Sequence, residues 1–166
     1  MQVPSTKYKR TSKPGIMAII ICKSKILLLR RRNVPLILNP GIWSFVSGGR
    51  DKGERYLDTA YREIREETGI RKQSLTLLAA TALEVFDRKR RIYWKNRVFI
   101  FSTNNPKITL DYENSRYRWA GYPEIEKEIN YTNVFINRKK LLNTIMRCLH
   151  AKRAKIKAGT DIQQSR

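Results

Sequence analysis

From Gly15 the chain reads GIMAIII, a polar interruption around KSK, then ILLLRRR to Arg32. Two apolar, β-branched runs about so short a break predict two strands joined by a tight turn. NVPLILNPG, with two prolines and Gly41, predicts a loop, and IWSFV predicts a short strand leading into Gly48 and Gly49. Residues 55–68 predict a helix. Leu57, Ala60, Tyr61 and Ile64 recur at i, i+3, i+4 and i+7, one apolar face, and Gly69 follows as a left-handed cap. LTLLAATALEVF and RVFIFSTN then predict strands separated by a basic hairpin or loop, DRKRRIYWKN. RYRWAGY predicts a further strand, and PEIEKEI a short helix opened by Pro123. Leu141, Leu142, Ile145, Cys148 and Leu149 mark an amphipathic terminal helix, with residues 151–166 expected to fray. The pattern divides the chain into a basic arm (1–13), one folded domain (14–150) and a basic tail (151–166).

A length of 166 residues supports one domain with a real core. No apolar run approaches the roughly 18 residues of a membrane span, and the N-terminal stretch lacks the apolar region of a secretory signal. Cys22 and Cys148 read as buried thiols in a reducing setting, so a cytoplasmic location is expected; a single bridge is the alternative. With one histidine in the chain, zinc or histidine-based nucleophilic chemistry has almost no material, and His150 itself reads as a cation near a helix C-terminus. Charge changes the picture most. Lys and Arg number 35 against 14 Asp and Glu, a formal charge of +21. Such a field attracts polyanions, with RNA a possible partner of the basic arms; a merely solvated surface is the alternative.

Against that background, six of the fourteen acids fall between Asp51 and Glu67. On the 55–68 helix Glu63, Glu66 and Glu67 lie at i, i+3 and i+4, so they share a face and repel one another. A hard divalent cation such as Mg²⁺ or Mn²⁺ would neutralise them. Surface ion pairs with Arg62 and Arg65 are the competing explanation, notably Asp58 with Arg62 and Arg62 with Glu66.

The spacing around this helix resembles a known motif. Gly48, five residues, Glu54, seven residues, Arg62-Glu63-Ile64, one residue, Glu66-Glu67, one residue, Gly69-Ile70 matches the Nudix box, GX5EX7REUXEEXGU, at every fixed position. The resemblance implies an α/β/α sandwich with a mixed β-sheet, in which the box forms a loop–helix–loop. It also implies a hydrolase that cleaves nucleoside diphosphates linked to another group by water attack on phosphorus, using Mg²⁺ or Mn²⁺. Carried over by position, Glu63, Glu66 and Glu67 would ligate metal, one of them sometimes acting as base. Glu54 would assist with metal or water, Arg62 would orient the carboxylates, and Ile64 would anchor the helix. The backbone carbonyl of Gly48 is the candidate to complete the metal shell, with Ser47 and Gly49 as alternatives. Glu113 stands where some members carry an additional glutamate that ligates metal or acts as base; Glu84 and Asp87 are weaker rivals.

Substrate contacts are less determined. Arg30, Arg31 and Arg32 end the second strand, and alternation aims at least one of them at the sheet face, where it could clamp a phosphate; Arg30 and Arg32 are the candidates. Trp43 and Phe45, and beyond them Phe86, Tyr93 and Trp94, are candidate base-stacking surfaces; a place in the core is the alternative for each, and the basic surroundings of Tyr93 and Trp94 favour exposure. The expected substrate is a nucleoside or dinucleoside polyphosphate or an RNA 5′ end. A non-enzymatic RNA- or ribosome-binding protein of the same fold is the rival reading. Neither the leaving group nor the oligomeric state is specified.

Overall fold

A computed structural model describes the backbone of residues 9–10, 15–35, 37, 40–87, 92–131 and 138–164. Side chains are described for these except 9–10, 85–87, 92–94, 129–131 and 152–164. The strands are β1 (Lys9–Arg10), β2 (Gly15–Cys22), β3 (Lys25–Arg31), β4 (Trp43–Ser44), β5 (Val46–Gly49), β6 (Thr76–Asp87), β7 (Ile92–Thr103) and β8 (Asn114–Ala120). The helices are α1 (Tyr56–Thr68), α2 (Tyr122–Tyr131) and α3 (Arg138–Gln164), with a 3₁₀ turn at Lys72–Ser74.

All eight strands join one mixed sheet. β7 runs parallel to β2, from Ile16↔Arg97 to Cys22↔Thr103, and antiparallel to β6 along its other edge. The two runs of the expected hairpin pair only beside their turn, at Ile21↔Ile26 and Cys22↔Lys25, and then diverge. β5 takes the vacated flank of β2, from Gly15↔Gly49 to Ala18↔Val46. β4 takes that of β3, at Leu29↔Ser44 and Arg30↔Trp43, while β8 covers the opposite edge of β3. The predicted IWSFV strand is therefore split at Phe45 between two partners.

The sheet is buried on both faces, which is why β2 and β3 are apolar almost throughout. Alternation sends Ile16, Ala18, Ile20, Leu27 and Leu29 toward α1, where they pack with Ala60 and Ile64. Met17, Ile19, Ile21, Ile26 and Leu28 face the other way, onto Ile125 of α2 and Leu141, Leu142, Ile145 and Leu149 of α3. The result is the expected α/β/α sandwich. Cys22 and Cys148 are free and buried.

Local expectations are refined at two places. β7 begins at Ile92, paired with Asp87, so the hairpin alternative holds and IYWKN belongs to its second strand. The long ladder with β6 overrides the cluster of charge, and the tip at 88–91 lies outside the described residues. α3 continues to Gln164 instead of fraying after 150, so His150 sits within the helix and not at its C-terminal end. No helix among the described residues is long and apolar enough to cross a membrane.

Candidate active site

Where β2 and β3 part, a cleft of about 840 Å³ opens between β4–β5, α1 and the loop before β8. Its lining includes Arg31, Ile42, Gly48, Glu63, Glu66, Glu67, Asp111, Tyr112 and Glu113.

α1 delivers the acids. Its apolar face docks on the sheet, and Gly69 ends it in the left-handed conformation (φ 71°) with its N–H on the Arg65 carbonyl. Glu63 then lies directly against the backbone of β5. A Cβ on Gly48 would stand 2.0 Å from the Glu63 carboxyl carbon, so only glycine fits beneath that carboxylate.

Arg62 is the hub. Its Nε and Nη2 donate to the two oxygens of Glu54 (both 3.1 Å), Nη1 donates to Glu63 (2.7 Å) and Glu66 (3.3 Å), and Nη2 also reaches the Gly49 carbonyl (3.1 Å). Glu54 accepts further bonds from the Thr59 hydroxyl and the Asp51 N–H. Chiefly through Arg62, its pKa is lowered to about 2. Asp58 is held by Arg55 instead of Arg62.

Glu67 is different. It is 5% exposed, and its two hydrogen bonds come from neutral donors: the Ser47 N–H and the Asn114 side-chain amide, each at 3.3 Å. Burial, with the negative charges of Asp111 and Glu63 adding to it, raises its pKa to about 8. Burial likewise raises Glu63, against the pull of Arg62. The Asn114 amide also donates to Asp111 (2.9 Å), so it bridges two carboxylates, while its own Oδ1 is buried without a partner.

Across the cleft, Arg31 forms an ion pair with Glu113 (3.0 Å). The expected substrate residues fall elsewhere. Arg30 donates to the Gly41 carbonyl, and Arg32 to the carbonyls of Tyr112 (2.6 Å) and Asn114, so both fasten loops. Phe45 is core, and Trp43 packs against the core beneath the Arg118 guanidinium (4.5 Å). Neither lines the cleft. Glu84 sits by Lys95 on the sheet, away from the cleft. The side chains of Phe86, Asp87, Tyr93 and Trp94 lie outside the described residues. Asp111, Tyr112 and Ile42 were not legible from sequence, since residues in loops carry no periodic signal, and Asn114 is a polar residue at the very start of β8. Arg31 could have been singled out, because its neighbours in an RRR run alternate away from it.

The donors fit a hard divalent cation in kind. All are oxygens, and among the described residues Glu67 is a buried carboxylate with no cation in hydrogen-bond contact. Among the described residues no three acidic, histidine or cysteine side chains already stand at metal-ligand spacing. Arg62 currently gathers Glu54, Glu63 and Glu66 in the role a cation would share.

Known proteins resemble this chain in sequence and in fold. The NUDIX domain family model matches residues 11–142. The bis(5′-nucleosyl)-tetraphosphatase [asymmetrical] of Mus musculus is 32% identical over 126 residues, covering 65% of this chain and 82% of that protein. An RNA pyrophosphohydrolase of Francisella tularensis subsp. mediasiatica is 30% identical over 115 residues, covering 60% of this chain and 74% of that protein. The C. elegans Ap4A hydrolase, solved as a binary complex, shares the fold with a TM-score of 0.64 at 24% identity, over 82% of this chain and 98% of that one. With its box complete and its carboxylates gathered in one cleft, the chain belongs to the Nudix hydrolase family.

Proposed function

We propose that this cleft hydrolyses a phosphoric anhydride bond in a nucleoside polyphosphate, either a dinucleoside polyphosphate or an RNA 5′ end. The relatives named as a tetraphosphatase and as an RNA pyrophosphohydrolase support that substrate class. The observation that carries the reading is the placing of an acidic wall (Glu63, Glu66, Glu67) and the Arg31 guanidinium in a single cleft. One side suits metal, the other phosphate.

Glu63, Glu66 and Glu67 would hold Mg²⁺ or Mn²⁺, with Glu113 and the Gly48 carbonyl completing the shell. When bound, the cation supplies an activated water, neutralises phosphate charge and keeps Glu67 ionised. The chain's own groups do the rest. Arg31 leaves Glu113 for the polyphosphate, which it can grip bidentately. Arg62 fixes the carboxylates through its bonds to Glu54, Glu63 and Glu66. A new P–O bond forms from water as the anhydride P–O bond breaks. The water's proton would pass to Glu67, which the cation keeps ionised and so able to accept it.

The test is a hydrolysis screen with and without Mg²⁺ over nucleotide sugars, dinucleoside polyphosphates and 5′-triphosphorylated RNA. Metal-dependent release of phosphate or nucleotide from the last two classes is expected. The formal charge of +21 supports a second reading, an RNA-binding protein without turnover. Salt-sensitive RNA binding with no metal-dependent cleavage of any substrate would select it.

A further inference from the structure

We propose that Tyr112 and Ile42 form a clamp for one nucleobase at the mouth of the cleft; the inference rests on the cleft being a nucleotide site. Tyr112 is 75% exposed, the most exposed large apolar side chain described, and Ile42 is 40% exposed. Both line the cleft. Among the described residues the Tyr112 hydroxyl makes a 3.5 Å contact with Glu113 and the ring belongs to neither core cluster, so no packing role accounts for it.

The backbones beneath both residues are nevertheless fixed. The Arg31 N–H donates to the Ile42 carbonyl (2.9 Å) on one flank of β3. On the other flank the Arg32 N–H donates to the Glu113 carbonyl (2.7 Å), and the Arg32 guanidinium to the Tyr112 carbonyl (2.6 Å). One strand spacing on each side of β3 sets the backbones of Ile42 and of Glu113, the residue after Tyr112, about 10 Å apart. A flat base sandwiched at van der Waals distance needs about 7–8 Å between the surfaces that hold it. The span suits a planar, apolar-faced group. Arg31 rises from β3 between the two walls, so a base held there presents its phosphates to that guanidinium and to the acids of α1. A stack on tyrosine has no hydrogen-bond readout, so the clamp accepts purines and pyrimidines alike.

The experiment compares two non-cleavable ligands that differ only by adenosine: adenosine 5′-(α,β-methylene)diphosphate and methylenediphosphonate. Binding of each to the full chain is measured by calorimetry with Mg²⁺ present. Wild type is expected to hold the nucleotide more tightly than the base-free ligand. Tyr112→Ala should weaken nucleotide binding about 5- to 100-fold and leave methylenediphosphonate unchanged, while Tyr112→Phe and Tyr112→Trp keep the preference. Ile42→Ser should lower it by a smaller factor. Equal effects of Tyr112→Ala on both ligands, or on neither, would overturn the clamp and leave the hydrolase reading standing. If wild type binds neither ligand, the cleft is not a nucleotide site and both readings fall.

Discussion

Gly48→Ala tests whether the acidic wall works as a unit. The new methyl would lie 2.0, 2.1 and 2.3 Å from the carbon and two oxygens of the Glu63 carboxylate. Ordinary contact begins at 3.4 Å, so the carboxylate must move by at least 3.4 − 2.0 = 1.4 Å. That displacement breaks the 2.7 Å bond from Arg62. Arg62 keeps Glu54 and is partly exposed, so the cost in stability is about 1 kcal/mol, a fall of about 2–4 °C in melting temperature. Catalysis is far less forgiving. Misplacement by about 1 Å costs on the order of 10²-fold, so kcat for a dinucleoside polyphosphate at saturating Mg²⁺ should drop by at least that factor. Gly49→Ala is the control, because a Cβ there meets nothing within 4 Å. It should retain activity within about threefold, since surface changes clear of special contacts are mild. A Gly48→Ala enzyme with normal kcat would refute the assignment of Glu63 to the reactive arrangement.

Glu67→Gln should cut turnover by orders of magnitude at nearly unchanged packing. It should also change the pH dependence of stability in chelator. With a folded pKa of about 8 against an ordinary 4.5, the native protein binds a proton that the unfolded chain does not, so Glu67 lowers stability as pH rises through that window. Urea melts of wild type and Glu67→Gln should diverge from pH 5 to 8, and parallel curves would count against burial of the charge. Asn114→Ala strips Glu67 and Asp111 of their shared donor; it should destabilise by about 1–3 kcal/mol and lower kcat more than it raises KM. A change confined to KM would place Asn114 at the substrate instead. Deleting residues 151–166 removes Lys152, Arg153, Lys155, Lys157 and Arg166. Small-nucleotide hydrolysis should persist while the log–log salt slope of RNA binding becomes shallower, by about 0.7 for each phosphate that the tail had neutralised. A collapse of small-substrate turnover would put the tail in the active site.

The elements that bury a periodic face could be read directly. Leu57, Ala60, Tyr61 and Ile64 announced α1, and its acids followed from the helical repeat, because local spacing fixes which residues share a face. The cleft's other wall could not be read this way. It depends on where β3 meets β8, a pairing of residues over 80 positions apart, such as Arg31↔Asn114. That register turned Arg32 into a loop fastener and brought Arg31, Asp111 and Asn114 to the site. Two of the aromatic candidates, Trp43 and Phe45, lie off the cleft for a related reason: splitting their strand between β3 and β2 turned both toward the core.

The parallel pairing of β2 with β7 governs how this molecule comes into being. Ile16 waits for Arg97, 97 − 16 = 81 residues later, before its second edge is satisfied. At about 5–20 residues per second, a nascent chain carries GIMAIIIC with a bare edge for roughly 4–16 seconds of synthesis. A segment so apolar and so free of charge invites pairing with copies of itself. α1 packs chiefly on β5 and β2, which precede it in the chain, and its remaining contacts with β7 are completed last. Lowering the protein concentration or supplying a holdase during refolding should therefore raise the yield.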